Sequence, residues 1–496
     1  MDPQDRNAPL DLPPDTFRAL GHQLVDDLAD LLASLPSRPV TTGETPAEVQ
    51  AVLGDSALPS QGTDPAVLLE EATRLVIDHS TFNGHPDFLA FITSSAAPIG
   101  ALGDLLASSV NPNLGGWPLS PVATEIERQT VRWIAEFVGY PSRHGLLVSG
   151  GNMANLVAFW AARRAKAPWD IRTSGAAAGP RLTAYVSKET HTWVQKAADL
   201  SGMGTESIRW IPTDNRQRMV PSALDEAIER DRADGFHPVL VVGTAGTVST
   251  GAVDPLADIG ALCRRHDLWF HVDGAYGAPA AALPECADKF NGMAEADSIA
   301  IDPHKWFYTP LQAGCLLVKD MAHLRDTFSY HPPYYPFVDE AADAPLMYYE
   351  YGPENSRGFR ALKVWLAFRQ VGRDGFVTMI RDDMAMARRL FDRVTEHPEF
   401  ESATRDLSIA TFRYVPPDVD ASDAATREYL NTLNAQILDR LQETGTAYLS
   451  NAVIDEVYFL RACVVNFRTS AGRIDLLPEK IATVGRAVHE SLQRAG

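Results

Sequence analysis

The sequence predicts an α/β fold whose central sheet is mostly parallel. Short apolar runs of strand length alternate with helical runs between about residues 91 and 375, which is typical of a parallel sheet covered by helices. Several of these runs end in Gly, Ser, Thr or Asp, and open α/β sheets place their ligand contacts at such strand ends. The predicted strands are residues 146–148, 184–187, 239–242, 268–272, 298–301 and 314–318.

Residues 1–90 are predicted to form an N-terminal arm. A polar tip precedes an amphipathic helix, for which Asp15 is the predicted N-cap. A stretch rich in Pro, Gly and Thr follows at 36–64 and favours an extended wrap with little core of its own. The apolar positions of the helix recur every three to four residues and are Phe17, Leu20, Leu24, Leu28, Leu31 and Leu35.

Residues 91–375 form the predicted large domain, and residues 376–496 a small α+β domain with a strand at 457–466. In the large domain, Ser120 and Pro121 suit the N-cap and first position of a helix that runs through Trp133. Near its end, a long segment at 328–358 is rich in Pro and aromatic residues. Loops of this length in compact domains are usually functional lids or disordered.

The amino-acid composition indicates which kinds of partner this protein can bind and in which cellular compartment it is expected. Lys plus Arg total 44 against 64 for Asp plus Glu, so the net charge of −20 argues against nucleic acid or an anionic membrane as a partner. The four cysteines show neither metal-ligand spacing nor disulfide density, which fits a reducing cytosol and predicts no metal site. The polar N-terminus has no signal-peptide core, and no apolar run has transmembrane length. We therefore expect a cytoplasmic globular protein.

The segment SIAIDPHKWFYTP, residues 298–310, carries the strongest chemical signal. An apolar strand runs into Asp302, and His304 and Lys305 follow. A buried lysine is costly unless its amine is consumed, as in a Schiff base, and burial also makes an amine more reactive. The pattern suggests pyridoxal phosphate, and four other segments favour this interpretation over a surface lysine after a turn.

Two of these segments suit the ring nitrogen and the phosphate of such a cofactor. LWFHVDGAYGAP places Asp273 at a strand end, where a carboxylate keeps a pyridine nitrogen protonated, although a helix cap or turn is the alternative. In GLLVSGGNMANL, Gly150 and Gly151 precede a helix. Glycines allow close backbone approach and free N–H groups suit an anion, although a plain capped turn is the alternative.

The other two segments suit the face and a substituent of the ring. His191 follows a short strand in YVSKETHTW, where an imidazole can stack on a ring, with a structural histidine as the alternative. Thr247 lies in VLVVGTAGTVST, where a buried strand ends in small residues and a hydroxyl can bond a ring substituent. Taken alone, that segment is only a strand with a turn.

Together these residues resemble the pyridoxal-phosphate-dependent group II amino-acid decarboxylases, the family of aromatic-L-amino-acid, histidine and glutamate decarboxylases. The resemblance extends over about residues 17–492 and implies a fold-type-I, aspartate aminotransferase-like fold. It also implies a homodimer in which the arm packs on the second subunit and the active sites lie at the interface; a helix folded back on its own chain is the alternative. The segments in family order include NGHPDFLAF, LSPVATEIERQTVRWIAEFVGYP, HVDGAYG, DPHKW, SRGFRALKVWLAFRQVG and LRACVVNFRT.

The resemblance implies that Lys305 carries the cofactor, Asp273 faces its ring nitrogen and His191 stacks on its ring. Many relatives have Asn where Asp302 stands; an ionised Asp there would repel the phosphate, so we expect it to pair with a cation. Asn152 stands where aromatic decarboxylases tend to have Ser, and its amide can serve equally. The remaining residues that the resemblance places at the cofactor are Gly150, Gly151, Asn152, Thr247, Ala275, Asp302 and His304.

In the family, a mobile loop carries a tyrosine that protonates the substrate carbon after carbon dioxide leaves. Aligning FSYHPPYY with that pattern puts Tyr334 in this position, with Tyr335 or a purely structural aromatic as the alternatives. A tyrosine favours simple decarboxylation, whereas relatives with phenylalanine tend toward decarboxylation coupled to oxidative deamination.

The predicted substrate pocket leaves the substrate open. Asn83 and Gly115 occupy two places where aromatic rings are expected, and Arg461 matches an arginine used near the substrate carboxylate, with a salt bridge inside the small domain as the alternative. An aromatic L-amino acid is slightly favoured over an acidic, other polar or nonstandard one. The predicted substrate contacts are Phe91, Ile92, Trp117 and Arg461.

Three classes of function remain. The first is a decarboxylase that releases an amine, and the second is an oxygen-consuming relative that forms an aldehyde. The third is a catalytically silent homologue that only binds the cofactor. The intact set of Lys305, Asp273 and His191 disfavours the third.

Overall fold

The computed structural model of this chain describes residues 8–330, 345–421 and 423–495. Within them, a central sheet of seven strands lies between layers of helices. Its strands are β1 (His144–Val148), β2 (Leu182–Ser187), β3 (Ile208–Ile211), β4 (His237–Thr244), β5 (Trp269–Asp273), β6 (Ser298–Ile301) and β7 (Gly314–Val318).

The strand order across the sheet is β1-β7-β6-β5-β4-β2-β3. Strands β2 to β6 run parallel, whereas β7 is antiparallel to both β6 and β1. The predicted α/β fold with a mostly parallel sheet is therefore confirmed. Strand β3 was not predicted, because only Ile208 and Ile211 are buried in it and the sequence shows no apolar run there.

The helices of the described residues cover both faces of the sheet and build the two ends of the chain. None of them is both long enough and apolar enough to cross a membrane. They are α1 (Pro14–Ser34), α2 (Pro46–Leu53), α3 (Pro65–Asp78), α4 (Pro98–Val110), α5 (Pro121–Val138), α6 (Gly151–Lys166), α7 (Ile171–Ser174), α8 (Trp193–Leu200), α9 (Pro221–Ala233), α10 (Leu256–Arg265), α11 (Ala322–Phe328), α12 (Ala361–Glu396), α13 (Arg427–Glu443) and α14 (Ala471–Ala495).

The N-terminal arm differs from its prediction in two places. Pro13, not Asp15, occupies the N-cap of α1, and Asp15 lies inside the first turn, where a carboxylate meets the positive end of the helix. The stretch expected to be extended contains α2, which begins with a capping box between Thr45 and Glu48. No residue of α1 is fully buried, and Phe17 remains 55% exposed.

The start of α5 was predicted at the right residues. Ser120 is its N-cap and Pro121 its first residue, as expected. The Ser120 hydroxyl does not cap the helix, however, because it donates to the carbonyl of Asn113 at 2.8 Å.

A buried ion pair fixes the edge strand β1. Glu127 on α5 and Arg357 are 1% and 2% exposed, and Arg357 Nη2 lies 2.5 Å from Glu127 Oε1. Glu127 Oε1 also accepts from the backbone N–H of Leu147 at 2.9 Å, and Arg357 Nη2 donates to the carbonyl of Leu147 at 2.6 Å. Because an edge strand leaves backbone groups unpaired, this pair satisfies the middle of β1 just before the strand enters the glycine turn.

The C-terminal part has a second, antiparallel sheet in the order β10-β11-β9-β8, covered by α12, α13 and α14. The predicted strand at 457–466 ends earlier, at Cys463. Helix α12 contains a break at Gly372, where φ is +68°, and it crosses the predicted domain boundary at 375, so the three-part division stays a prediction. The strands are β8 (Phe400–Asp406), β9 (Ile409–Tyr414), β10 (Ser450–Ile454) and β11 (Val457–Cys463).

Candidate active site

Lys305 lies in the turn after β6 and lines a cavity of about 280 Å³ at the carboxyl ends of β4, β5 and β6. The first turn of α6 closes another side of this cavity. Every residue predicted to hold the cofactor lines it except Thr247, and Ile92 is the one predicted substrate contact among the described lining residues. The strand ends thus bring together side chains that are far apart in the sequence.

Lys305 forms an ion pair inside the cavity. Its Nζ lies 3.0 Å from Oδ2 of Asp302, which is only 2% exposed, so the expected pairing of Asp302 with a cation is present. His304 Nε2 lies 3.6 Å from the same oxygen, and His304 Nδ1 accepts from the N–H of Ala313 at 3.1 Å. Burial lowers the pKa of His304, so near neutral pH its ring is neutral and carries its proton on Nε2.

Asp273, the last residue of β5, is held by an N–H donor on each oxygen. Trp193 Nε1 donates to Oδ2 at 2.8 Å, and the backbone N–H of Ala275 donates to Oδ1 at 3.2 Å. Trp193 was not predicted, although a buried indole needs an acceptor for its N–H and Trp193 stands two residues after His191. These bonds fix the orientation of the carboxylate toward the cavity.

His191 lies between β2 and α8 and is open to the cavity. Its Nδ1 accepts from the backbone N–H of Trp193 at 3.3 Å, which leaves the ring proton on Nε2. Desolvation lowers the pKa of His191, and the charge of Asp273 opposes this only in part. A neutral imidazole at this place can stack on an aromatic ring.

A chain of buried polar groups ties α6 to β5 and β6 behind the cavity. Burial lowers the pKa of His271 to about 4, so its ring is neutral. Its Nε2 contacts Asn155 Oδ1 at 2.6 Å and its Nδ1 contacts Ser298 Oγ at 2.8 Å. Because the amide oxygen of Asn155 can only accept, His271 donates from Nε2. The Nδ1 of the neutral ring then accepts from the Ser298 hydroxyl, whose oxygen accepts from Trp269 Nε1. Asn155, which was not predicted, lines the cavity.

The glycine turn approaches its neighbours too closely for any side chain. A Cβ on Gly151 would lie 2.6 Å from Asp302 Oδ2 and 3.1 Å from Ala275 Cβ, and a Cβ on Gly150 would lie 3.3 Å from His304 Cε1. Gly150 and Gly151 are the N-cap and first residue of α6. The backbone N–H groups at the start of this helix are therefore accessible to an anion.

The segment that carries Lys305 is held by hydrogen bonds to α12. Trp306 Nε1 and the Tyr308 hydroxyl both donate to Oδ2 of Asp383 on α12, at 2.9 Å and 2.6 Å. On the other side, the hydroxyl of Ser94 donates to the carbonyl of His304 at 2.8 Å. Asp383 was not predicted, and its only sequence signal is an acidic residue in a helix that also carries a buried face.

The end of β4 and the loop that follows it contribute Thr244 and Gly246 to the cavity, instead of the predicted Thr247. Thr247 is fully buried and its hydroxyl bonds that of Thr250 at 2.9 Å, whereas Thr244 and Gly246 line the cavity. The Thr244 hydroxyl is buried and has no partner among the described residues. Glu189, also not predicted, lines the cavity, and burial raises the pKa of its carboxyl.

Three predicted substrate contacts lie outside the cavity lining. Phe91 is 56% exposed, and Trp117 Nε1 donates to Glu125 Oε1 at 3.2 Å. Arg461 is 1% exposed, and its Nη1 donates to the Phe91 carbonyl and to Ser450 Oγ, both at 2.9 Å. The alternative of a salt bridge within the small domain is wrong for the described residues, because Arg461 has no carboxylate partner there and its Nε and Nη2 have no hydrogen bond.

Tyr334 and its alternative Tyr335 lie outside the described residues. The assignment of a proton donor to this segment stays a prediction from the sequence.

The residues of the cavity fit pyridoxal phosphate. The glycine turn lines the cavity at the start of α6, where backbone N–H groups can bind a phosphate. Lys305 supplies an amine inside the cavity, and Asp273 offers an oriented carboxylate. The unpartnered hydroxyl of Thr244 provides a further polar contact. Asp302 is the feature that opposes an anion beside the glycine turn.

Comparison with known proteins agrees with this fit. Residues 46–415 match the family model described as the pyridoxal-dependent decarboxylase conserved domain. The chain is 34% identical over 481 residues to the aromatic-L-amino-acid decarboxylase of Bacillus atrophaeus, with 97% of each chain covered. It is 31% identical over 458 residues to tryptophan decarboxylase 2 of Oryza sativa subsp. japonica, with 90% of each covered. Among solved structures it is similar to Oryza sativa TDC with PLP and tryptamine, with a TM-score of 0.89, 30% identity and coverage of 97% and 99%.

The family match extends over well more than half of the chain, and the cavity presents the amine and carboxylates that pyridoxal phosphate chemistry requires. The chain belongs to the pyridoxal-dependent decarboxylase family, and it is a carboxy-lyase that uses pyridoxal phosphate to decarboxylate an amino acid.

Proposed function

We propose that this enzyme converts an aromatic L-amino acid into the corresponding amine and carbon dioxide. The observation that carries the proposal is the cavity that Lys305 and Asp273 both line, in which Trp193 orients the carboxylate of Asp273. The names of the relatives favour an aromatic substrate, since the bacterial one is an aromatic-L-amino-acid decarboxylase and the rice one a tryptophan decarboxylase.

Each cavity residue receives one task in this proposal. Pyridoxal phosphate, when bound, supplies an electron sink for the pair of electrons that carbon dioxide leaves behind. Lys305 binds the cofactor through its amine and yields that position to the amino group of the substrate. Asp273 holds a proton at the ring nitrogen, and His191 packs on the ring. The start of α6, with Gly150 and Gly151, binds the phosphate.

Orientation is the main contribution of the protein to bond cleavage. The breaking Cα–carboxylate bond must stand perpendicular to the ring to overlap its π-system, and fixed orientation of this kind can lower a barrier by several kcal/mol. Arg461 supports this indirectly, because it holds the carbonyl of Phe91 beside Ile92 at the cavity wall. A direct ion pair with the leaving carboxylate would stabilise the ground state more than the transition state.

The released electron pair on Cα must then accept a proton. We assign that proton to Tyr334, as the sequence predicts, with Tyr335 as the neighbouring alternative. If the tyrosine proton is missing, oxygen can react instead, and one O₂ and one H₂O then yield aldehyde, ammonia and hydrogen peroxide in place of the amine.

A product assay tests this proposal. Purified enzyme with pyridoxal phosphate is offered aromatic, acidic and small L-amino acids separately, and amine, aldehyde and peroxide are measured. We expect amine from an aromatic amino acid, its loss in Lys305→Ala and its retention in Lys196→Ala, a matched change of an exposed lysine on α8. Amine from acidic amino acids alone would refute the aromatic substrate.

Two further variants test the proton donor. Tyr334→Phe is expected to replace amine by aldehyde and peroxide, whereas Tyr335→Phe should still release amine. The reverse outcome would move the donor to Tyr335, and amine from both variants would exclude this segment as the proton source.

We also propose that the enzyme is a homodimer. Helix α4 exposes Leu102, Leu105 and Leu106 by about half, and α1 also exposes apolar side chains, among them Phe17. A second subunit would cover these side chains. Light scattering after size exclusion should give twice the mass of the chain. Leu105→Glu should yield monomers, whereas Leu476→Glu, an equally exposed leucine on α14, should not. A wild-type monomer would refute the dimer.

A cytoplasmic location is the last part of the proposal. All four cysteines are free thiols, and each is buried. Thiols kept free in this way are typical of proteins in a reducing compartment. Cell fractionation followed by detection of the protein tests the location.

A further inference from the structure

The cavity contains a carboxylate whose one permanently cationic partner among the described residues is the amine of Lys305. Asp302 lies one residue after β6 and is 2% exposed. Its Oδ2 lies 3.0 Å from Lys305 Nζ, and its Oδ1 is buried and has no hydrogen-bond partner among the described residues. Buried carboxylates are normally paired or hydrogen-bonded on both oxygens. Asp302 therefore depends on Lys305 for most of its stabilisation as an anion.

The same carboxylate stands where the cofactor's phosphate is proposed to bind. An ideal Cβ on Gly151 would lie 2.6 Å from Asp302 Oδ2, so the carboxylate lies directly against the first residue of α6. The start of a helix is a preferred place for one anion, because its N–H groups and dipole both attract negative charge. Two anions at this place repel each other.

Within the part of the chain that the structure describes, the other ionisable groups around Asp302 offer no second permanent cation. His304 approaches within 3.6 Å but is neutral near neutral pH, since burial lowers its pKa. Across the cavity, Asp273 is an acid and His191 has a pKa lowered by desolvation. On β7, burial raises the thiol pKa of Cys315 and keeps it uncharged. The remaining charge near His304, Lys363 on α12, forms its own ion pair with Asp104.

Cofactor capture changes this balance. Lys305 would hold pyridoxal phosphate through a Schiff base, formed with loss of one water whose two hydrogens come from the ammonium group. This step by itself neither takes up nor releases a proton, and the nitrogen would no longer be a free ammonium group beside Asp302. At the same time, a phosphate with a charge of about −1.5 to −2 enters beside the glycine turn. Like charges at such short range disfavour full ionisation of both groups.

We propose that Asp302 is the counter-ion of Lys305 in the cofactor-free enzyme and that it takes up one proton when pyridoxal phosphate binds. The proton comes from solvent and settles on Asp302 Oδ1, the oxygen without a partner, where the resulting O–H can donate to a phosphate oxygen. The carboxyl then supplies the hydrogen bond that an amide would supply at this position. This inference rests on the proposed placement of the phosphate at the start of α6.

The sign of the pH effect follows from proton uptake. A binding step that takes up one proton weakens as protons become scarce, by up to about tenfold in affinity for each pH unit. Asp302→Asn removes the uptake and the repulsion together. We expect this variant to bind pyridoxal phosphate more tightly than wild type, with an advantage that grows from about pH 6 to about pH 8.

Infrared difference spectroscopy tests the proposal directly. Spectra of the enzyme with and without pyridoxal phosphate are subtracted, and a new band of a protonated carboxyl group, shifted in D₂O, is expected for wild type. The band should vanish in Asp302→Asn, or in Asp302→Ser if the first variant does not fold. Glu189→Gln is the matched control, because it removes another carboxyl group that lines the cavity and should leave the band in place.

The outcomes separate this inference from the proposed function. A band that persists in the Asp302 variants, or that disappears in Glu189→Gln, would overturn it, as would an affinity ratio that does not change with pH. Binding itself is followed by the visible absorbance of the cofactor. If no variant and no wild-type sample binds the cofactor, the proposed function fails instead.

Discussion

Asp383 supports the turn that carries Lys305, although it lies on a helix outside the cavity. The carboxylate is 3% exposed and its Oδ2 accepts hydrogen bonds from Trp306 and Tyr308, both of which are fully buried. Asp383→Ala leaves both donors buried without an acceptor. Each unsatisfied donor costs about 1–3 kcal/mol, so the free energy of unfolding should fall by about 2–6 kcal/mol. Asp383→Asn keeps an oxygen for the same donors and should cost less.

The pH dependence of stability provides a second measure. Burial raises the pKa of Asp383 to about 7, against an ordinary value of 3.8. Between these values the folded chain binds more protons at this carboxyl than the unfolded chain does, so stability is present at low pH and is lost as pH rises toward 7. The slope contributed by one such group is at most about 1.4 kcal/mol per pH unit. Asp383→Asn cannot titrate and should remove this contribution.

Urea unfolding at a fixed protein concentration, near pH 5 and near pH 7, measures both effects. Asp382→Ala is the control, because it removes the neighbouring, exposed aspartate of the same helix. Two results would refute the reasoning. One is a free energy of unfolding for Asp383→Ala within about 1 kcal/mol of wild type. The other is an Asp383→Asn variant whose pH dependence equals that of wild type.

Two other positions give sharp expectations for cofactor affinity, measured by absorbance titration. Trp193→Phe removes the N–H that orients Asp273. Because a hydrogen bond to a charged group contributes about 1.5–3 kcal/mol, the affinity for the cofactor should fall roughly 10- to 100-fold. An unchanged affinity would contradict this expectation. Gly151→Ala puts a Cβ 2.6 Å from Asp302 and should weaken binding more than about tenfold, whereas Gly472→Ala, with open space around it, should bind as wild type does.

The parts of the fold that the sequence predicted are those where burial is uniform. Residues 298–301 and 314–318 are buried throughout, and both strands were predicted at their observed bounds. The edge strand β3 was not predicted because half of it is solvated, so its sequence shows neither a continuous apolar run nor an alternation of apolar and polar residues. Helix α2 was not predicted because the surrounding residues are rich in Pro, Gly and Thr, which favours an extended segment. The capping box formed by Thr45 and Glu48 was the signal in the sequence that indicates this helix.

The same contrast holds for the site. Lys305 and Asp273 were predicted to share one site, and both line the cavity, because each follows or ends a strand inside a recognisable segment. Their roles stay predictions. Trp193 and Asp383 were not predicted, because their importance comes from single hydrogen bonds to groups 80 and 77 residues away. Thr247 belongs to the predicted segment but does not line the cavity. Its hydroxyl is hydrogen-bonded to that of Thr250, and the sequence does not reveal this bond.

The two aspartates of the cavity show why position, rather than residue type, sets their behaviour. Asp273 ends β5, and Asp302 follows the neighbouring strand β6, so both belong to the same sheet edge. Asp273 receives fixed N–H donors that take no part in the proposed reaction, so its carboxylate keeps these hydrogen bonds throughout. Asp302 instead pairs with the amine that the reaction consumes. The proposed proton uptake would change its charge during cofactor loading. Replacing each aspartate by asparagine should therefore weaken the enzyme at Asp273 and strengthen cofactor binding at Asp302.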